Sequence, residues 1–353
     1  MPGEIFVTLP PYSDSIIYGR ISFEDSPEIV YFPSQAQPKS IQLSNMQING
    51  SGEAFGIILS KPKESYGGVS GSNEKNVTIG LVYNKNESGF QGNELLRLAL
   101  EKSTGSECAI QIITDLINQY EETKPIDMSC MFSFVICDPG SAWILNIVGK
   151  LWAAEKIDAQ FRSVSSELCV GTKIDKCSEN LKEECKSLAL WDGASDFSFK
   201  SIIGTEHKNE SICYDKQNLD KKFTVQTMFD VLRNHNGKEN TKSSHVSVLN
   251  LNGICVNWFT GTSTKESVFK PFVFTSSARI SPLTKVKVGE DDTILNKLHS
   301  QRNWKMVGEL LQSLEKTCVK EVDTYIAENP KALSQELDDL MKDCVEAEVK
   351  FYR

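Results

Sequence analysis

Short apolar runs separated by polar turns dominate the first third of the chain, the pattern of strands rather than helices. Residues 6–9 are β-prone and are stopped by Pro10 and Pro11. Residues 15–20 and 28–32 follow, joined by a polar turn with Pro27. Residues 54–60 read as a buried strand and 67–72 as a glycine-rich loop whose tight turn needs positive φ. Residues 77–83 read as the strand after it. The period then changes. Leu95, Leu96, Leu98, Ala99 and Leu100 predict a helix over 93–102. Ile110, Ile113, Leu116 and Ile117 share one face of a second helix over 106–121.

The middle returns to strands. Residues 131–137 and 142–148 flank Asp138-Pro139-Gly140-Ser141, which predicts a hairpin; 151–157 and 160–165 extend that sheet. A helix is expected over 177–190, a polar mobile loop over 193–220, and a helix capped by Thr224 that runs to Arg233. A lysine-rich loop at 236–244 leads to strands at 245–251, 254–259 and 267–274. From Asp291 the helical period takes over. Val307, Leu310, Leu311, Leu314, Cys318, Val322 and Tyr325 mark one helix, Pro330 breaks it, and 333–351 form another. This tail reads as an antiparallel helical pair packed on the body, with a coiled-coil dimer seam as the rival use of the same stripe. No internal repeat is visible.

Composition narrows the class. Of 353 residues, 40% are hydrophobic and 24% charged, so a sizeable core is expected rather than disorder. The net charge of −9 argues against nucleic acid and against a basic membrane-surface patch. No apolar run reaches the roughly 18 residues of a membrane span, and the first residues lack the basic start of a signal peptide, so a cytoplasmic protein is expected. In that compartment the ten cysteines, none in a CxxC pair, are expected as reduced and mostly buried thiols. The sequons at Asn76, Asn86 and Asn209 are then chance matches.

Candidate chemistry is sparse. His207, His235, His245 and His299 show no metal-ligand spacing, and neither a metal nor another cofactor is implied. Gly67–Gly71 lacks the Gly-Lys-Ser/Thr ending of a phosphate loop. No nucleophile elbow is present. Cys255 and His245 fall on neighbouring predicted strands and are the one candidate thiol–base pair.

Several segments, in order along nearly the whole chain, resemble the secernins. They are Phe6-Val7-Thr8-Leu9-Pro10-Pro11, Gly71-Ser72-Asn73-Glu74, Ala142-Trp143-Ile144-Leu145, Gly149-Lys150-Leu151-Trp152-Ala153-Ala154-Glu155-Lys156, and Thr224-Val225-Gln226-Thr227-Met228. They continue with Phe259-Thr260-Gly261-Thr262, Ser267-Val268-Phe269-Lys270-Pro271-Phe272, and the stretch from Asp343 to Phe351. Secernins are similar to dipeptidases among the cysteine N-terminal-nucleophile hydrolases. The resemblance therefore implies an α+β fold, a four-layer α-β-β-α sandwich over 1–285 with a C-terminal helical tail, 286–353, on the same domain. It also implies a Cys that becomes the first residue of the mature chain and attacks an amide, with its own α-amino group as base.

That chemistry does not carry over residue by residue. The nucleophile position, just before Phe-Val-x-x-Pro-Pro, holds Ile5. The family's Gly-Lys-Asn-Ser-Asp-Arg reads Gly19-Arg20-Ile21-Ser22-Phe23-Glu24. After Asn73, the second Asn is Leu81, and Trp-Ile-Leu-Glu becomes Trp143-Ile144-Leu145-Asn146. Thr8, the nearby hydroxyl, points away from the face of Ile5 and Val7. The expectation is a vestigial pocket around Ile5, Arg20, Ile21, Asn73, Leu81 and Asn146, with no catalytic residue. The implied role is binding of a protein or small molecule, with secretory machinery in regulated exocytosis as the partner that the resemblance suggests. The tail from Asp291, an acidic helical face, is the expected partner surface, on a sandwich that should stay folded without it. The alternative is a cysteine-type dipeptidase or amide hydrolase using an unrecognised nucleophile.

Overall fold

A computed structural model describes residues 3–23, 27–50, 52–85, 89–121, 128–165, 168–203, 222–234, 241–301, 304–329 and 335–352. The expected mobile loop over 193–220 lies outside them beyond residue 203, as does most of the lysine-rich loop at 236–244. The chain opens with β1 (Glu4–Thr8), β2 (Ile16–Ser22) and β3 (Pro27–Phe32). Two small ribbons follow, β4 (Gln35–Ala36) with β7 (Glu53–Ala54) around β5 (Ser40–Gln42) with β6 (Gln47–Asn49). Next come β8 (Ile57–Pro62), β9 (Ser70–Asn73), β10 (Thr78–Lys85), α1 (Gly92–Leu100) and α2 (Ser106–Glu121). The middle supplies β11 (Met131–Asp138), β12 (Ser141–Val148), β13 (Leu151–Lys156), β14 (Phe161–Val164), β15 (Lys176–Cys177), α3 (Leu181–Ser187), α4 (Phe199–Ile203) and α5 (Val225–Arg233). The chain closes with β16 (Ser243–Leu249), β17 (Val256–Phe259), β18 (Lys270–Phe272), α6 (Ile294–Gln301), α7 (Trp304–Glu328) and α8 (Leu340–Tyr352).

The larger strands form two antiparallel sheets. One runs β14-β1-β2-β16-β17-β18 and the other β15-β13-β12-β11-β10-β9-β8-β3. Strand alternation decides what each face touches. Ile5, Val7, Ile16 and Tyr18 of the first sheet meet Val82, Val135, Ile144 and Val148 of the second in a buried seam. The opposite face of the second sheet, with Ile79, Leu81, Phe134 and Leu145, packs on Leu95 and Leu96 of α1 and Ile110 and Ile113 of α2. The opposite face of the first, with Phe6, Ile17, Ile21, Val246 and Trp258, packs on Met228, Phe229 and Leu232 of α5 and on Cys318 and Val322 of α7. The layers are thus helix, sheet, sheet, helix: an α+β sandwich of the N-terminal-nucleophile-hydrolase-like kind that the resemblance implied.

Local chemistry explains several boundaries. Asp138 Oδ1 accepts from the amides of Gly140 and Ser141 at 2.7 and 2.8 Å, which closes the β11–β12 hairpin. Its Oδ2 accepts from the amide and hydroxyl of Ser106, both at 2.7 Å, so the same turn holds the start of α2. Thr224 accepts from the Thr227 amide at 3.2 Å as the cap of α5.

Four expectations need correction. The glycine segment is not a positive-φ turn. Positive φ falls at other glycines, and Ser70–Asn73 are the strand β9. Its glycines answer close approach instead: a Cβ on Gly71 would lie 2.5 Å from the Ile58 carbonyl oxygen and from Leu59 Cδ2. The strand β14 does not extend the hairpin sheet; it crosses to the other sheet and pairs with β1. The helix expected over 177–190 is only Leu181–Ser187, with β15 taking Lys176–Cys177. The helical tail packs on the body: Leu314, Cys318, Val322 and Tyr325 of its stripe join the first sheet's core, and Leu310 stays exposed. The same burial removes the ground for expecting the sandwich to stay folded without 291–353.

Two buried ion pairs bolt that layer down. Arg233 of α5 grips Glu315 of α7 with its two terminal nitrogens, Nη1 to Oε1 at 2.7 Å and Nη2 to Oε2 at 2.5 Å. Lys270 of β18 lies 2.7 Å from Glu348 of α8, and both side chains are fully buried.

Candidate functional site

Ile5, where the resemblance places the nucleophile, sits in the seam between the sheets. Ile5 is fully buried, opposite Arg20 of β2 and Val164 of β14. Across the seam lies Gly80 of β10. A Cβ there would collide with the Tyr18 hydroxyl and lie 2.6 Å from Ile5 Cδ1, so these two side chains already fill the space above the glycine. Strand pairing continues before Ile5: Gly3 donates its amide to the Val82 carbonyl at 3.2 Å, and Glu4 pairs with Ile21. An α-amino base at position 5 would need cleavage of a buried, hydrogen-bonded strand.

The six expected pocket positions do not converge. Arg20 shares the seam with Ile5: it is 3% exposed, and its Nε donates to the Leu81 carbonyl at 3.1 Å. Ile21, one residue on, faces the α5–α7 layer instead. Leu81 turns its side chain to α1 and α2, leaving only its carbonyl near Arg20. Asn73 also faces the α1 side. Its Nδ2 donates to the carbonyls of Leu100 and Ser103 at 2.7 and 2.8 Å, and its Oδ1 accepts from the amides of Lys75 and Val77 at 3.0 and 2.9 Å. That amide is fully occupied in tying the end of α1 to the β9–β10 turn. Asn146 faces the seam with its hydrogen-bond capacity in use: Nδ2 donates to Ser133 at 2.8 Å, and Oδ1 accepts from the amides of Cys169 and Val170 at 2.7 and 2.8 Å. Thr8 is buried on the opposite face from Ile5, with its hydroxyl 3.2 Å from Ser13.

The proposed Cys255–His245 pair does not form. The register sets His245 against Phe259, which puts Cys255 at the far end of the ladder, bonded to the Asn250 backbone. His245 belongs to a polar cluster that no motif announced. Its Nδ1 is 2.7 Å from Ser70 Oγ, and its Nε2 is 2.9 Å from Ser247 Oγ and 3.3 Å from Asn257 Oδ1. Ser70 also meets the Tyr18 hydroxyl at 2.9 Å, while Ser72 and Ser247 both donate to Asn257 Oδ1 at 2.7 Å. The imidazole stacks on Phe259, centroids 4.1 Å apart and planes 6° from parallel. The sequence signal was present: Ser70-x-Ser72 and His245-x-Ser247 put small polar residues on alternate positions of strands, all on one face.

Ser70 and His245 are thus a hydroxyl and a base at nucleophile–base distance. Their surroundings withhold the rest of the chemistry. Tyr18, Ser70, His245, Ser247 and Asn257 are all buried. Burial, with a smaller push from the Arg20 charge and against the Asn257 contact, takes the His245 pKa down to about 3, so the ring is neutral at ordinary pH. Burial likewise pushes the Tyr18 hydroxyl pKa up. Buried and hydrogen-bonded to one another, these side chains clasp the two sheets together.

Open space lies elsewhere. A groove of about 380 Å³ runs between α7 and α8, with Pro271, Cys318 and Cys344 at its floor. Leu314, Val322, Leu337 and Leu340 make its apolar walls, and Glu321, Glu336 and Asp343 also line it. Among the described residues, no group of three or more His, Cys, Asp or Glu side chains is gathered to hold a metal. No described helix is long and apolar enough to cross a membrane.

No family model matches the chain. Solved structures similar to it include penicillin V acylase from Agrobacterium tumefaciens, with 12% identity over 77% of this chain and 86% of that one, at a TM-score of 0.45. A mutant of conjugated bile acid hydrolase from Clostridium perfringens has 10% identity over 79% of this chain and 99% of its own, at 0.38. The Caenorhabditis elegans ortholog of N-acylethanolamine-hydrolyzing acid amidase has 10% identity over 77% and 100%, at 0.37. The architecture assigned above rests on the sheets and helices of this chain.

Proposed function

We propose that this is a catalytically silent, secernin-like protein that works by binding. The observation that carries the reading is Ile5, fully buried at the position that the resemblance assigns to the nucleophile, where its side chain and Tyr18 fill the space over Gly80. A sec-butyl group has no lone pair to give, and the neighbouring polar groups of the seam bond one another instead. The binding surface in this reading is the α7–α8 groove. Its apolar walls and its carboxylates, Glu321, Glu336 and Asp343, suit a protein segment that offers an apolar side chain between Lys or Arg residues. A cytoplasmic place beside the machinery of regulated exocytosis is what the secernin resemblance suggests for that partner.

The alternative is a cysteine-type dipeptidase or other amide hydrolase with an unrecognised nucleophile, and the hydroxyl that favours it is Ser70, with an imidazole 2.7 Å away. It would then have to part the two sheets at each turnover. The test is hydrolysis of a dipeptide panel by the purified chain beside its Ser70→Ala variant. The reading expects no turnover by either. Turnover that disappears in Ser70→Ala would overturn it in favour of the hydrolase.

A further inference from the structure

Cys318 of α7 and Cys344 of α8 face each other with their sulfurs 3.2 Å apart. Both line the floor of the groove, and both are free thiols. The two helices come from different parts of the tail, so this contact is a tertiary one. The sulfurs need to approach by only about 1 Å to reach the roughly 2.05 Å of a disulfide bond. We propose that Cys318 and Cys344 are a reversible oxidation site, which a small neutral hydroperoxide entering the groove converts to a disulfide joining α7 to α8.

The groove decides the class of oxidant. Glu321, Glu336 and Asp343 line the approach, and they would repel anionic disulfides such as oxidised glutathione. A hydroperoxide carries no charge and is small enough to reach cysteines that, as whole residues, are 8% and 7% exposed. The contact between the sulfurs lets the S–H of one stabilise a thiolate on the other. Either sulfur can attack, and the steps with Cys318 attacking balance equally with the roles exchanged.

The electrons and protons balance in two steps. The Cys318 thiolate attacks one peroxide oxygen and the O–O bond breaks. Cys318 becomes a sulfenic acid, and the departing hydroxide (or alkoxide) takes up a proton as water or alcohol. The Cys344 sulfur then attacks the Cys318 sulfur, the S–O bond breaks, and the thiol proton leaves with the oxygen as water. Two thiols and one peroxide give one disulfide and, for hydrogen peroxide, two waters. A dithiol reductant reverses the change.

The test is a titration of the full chain with hydrogen peroxide, followed by alkylation of the remaining thiols and peptide mapping without reductant. The expected first product is a Cys318–Cys344 linked peptide, lighter by two hydrogens, formed before the exposed Cys177 is modified and lost on adding dithiothreitol. In Cys344→Ser the link should be absent and dimedone should trap the sulfenic acid on Cys318. Loss of another thiol first, or peroxide consumption with both sulfurs driven to higher acids and no link, would overturn the proposal. The linked peptide is read in the unmodified chain, so an unstable variant does not blunt the test.

Discussion

Replacing Lys270 by Met removes the cation from a fully buried charge cluster. Its Nζ lies 2.7 Å from Glu348 Oε2 and donates to the carbonyls of Thr260 and Val268, both at 2.6 Å. Glu348 Oε1 accepts from Ser267 Oγ at 3.0 Å, the Val268 amide at 3.1 Å and His299 Nε2 at 3.1 Å. Burial alone would raise the Glu348 pKa. The Lys270 charge and the His299 hydrogen bond outweigh it and bring the carboxyl from its ordinary 4.5 down to about 2. A folded pKa below the unfolded one means that the unfolded chain binds the proton first on acidification. The linked stabilisation is therefore fully present above pH 4.5 and is lost as pH falls through about 2. At 1.36 kcal/mol per pH unit it amounts to roughly 3 kcal/mol.

In Lys270→Met the desolvation of Glu348 is no longer answered by its main partner. A buried charge stripped of its counter-ion costs about 3–5 kcal/mol, so a loss of that order is expected at pH 7. A pH slope should also appear between pH 7 and pH 5, where Glu348 contributes none in the parent chain, because protonating Glu348 now relieves the folded state. Urea unfolding followed by the fluorescence of buried Trp258 reads both effects at pH 7 and pH 5. The double variant Lys270→Met/Glu348→Leu should recover most of the loss. A loss under about 1 kcal/mol, or an unchanged pH slope, would refute the reasoning.

Other consequences are as specific. Gly80→Ala should cost at least about 1–3 kcal/mol, because its Cβ meets the Tyr18 hydroxyl and Ile5 Cδ1; adding Ile5→Val should recover part of it in the same urea assay. His245 has its folded pKa lowered from 6.5 to about 3, so the stability it contributes is present above pH 6.5 and declines as pH falls toward 3. Its imidazole NMR signals should stay neutral at pH 5, and His245→Gln should flatten the decline. Arg233→Lys loses the two-nitrogen grip on Glu315 and should cost about 1–3 kcal/mol by denaturant titration, although the charge is kept. Asp343→Lys should weaken partner capture several-fold in a pull-down and leave the circular dichroism spectrum unchanged; equal capture would argue against the groove as the binding face.

Elements with a strong period were legible in the sequence. The stripe of Ile110, Ile113 and Ile117 marked α2, and Asp138-Pro139-Gly140-Ser141 marked the β11–β12 hairpin, because a turn carboxylate and one apolar helix face are local facts. Sheet membership was not local. Residues 161–164 look like any strand beside β13, and only the tertiary fold sends them to β1. The candidate pocket failed for a related reason. Order along a motif does not give direction across a strand: Arg20 and Ile21 are neighbours in sequence and face different layers. Asn73 looked like a site residue because it matches the Asn-Glu motif of the secernin resemblance, yet its side chain is spent on the backbone around α1. The His245 cluster was missed because its members come from four strands, β2, β9, β16 and β17, at separations that no motif spans.

In the proposed reading, position 5 lies within a continuous strand and is not a terminal nucleophile. The direct measurement is the intact mass and N-terminal peptide of the protein taken from its own cell. A chain that keeps the residues before Ile5 is the predicted result. A chain trimmed to begin at Thr8, or at any Ser or Cys, would contradict the account and give the fold back its nucleophile.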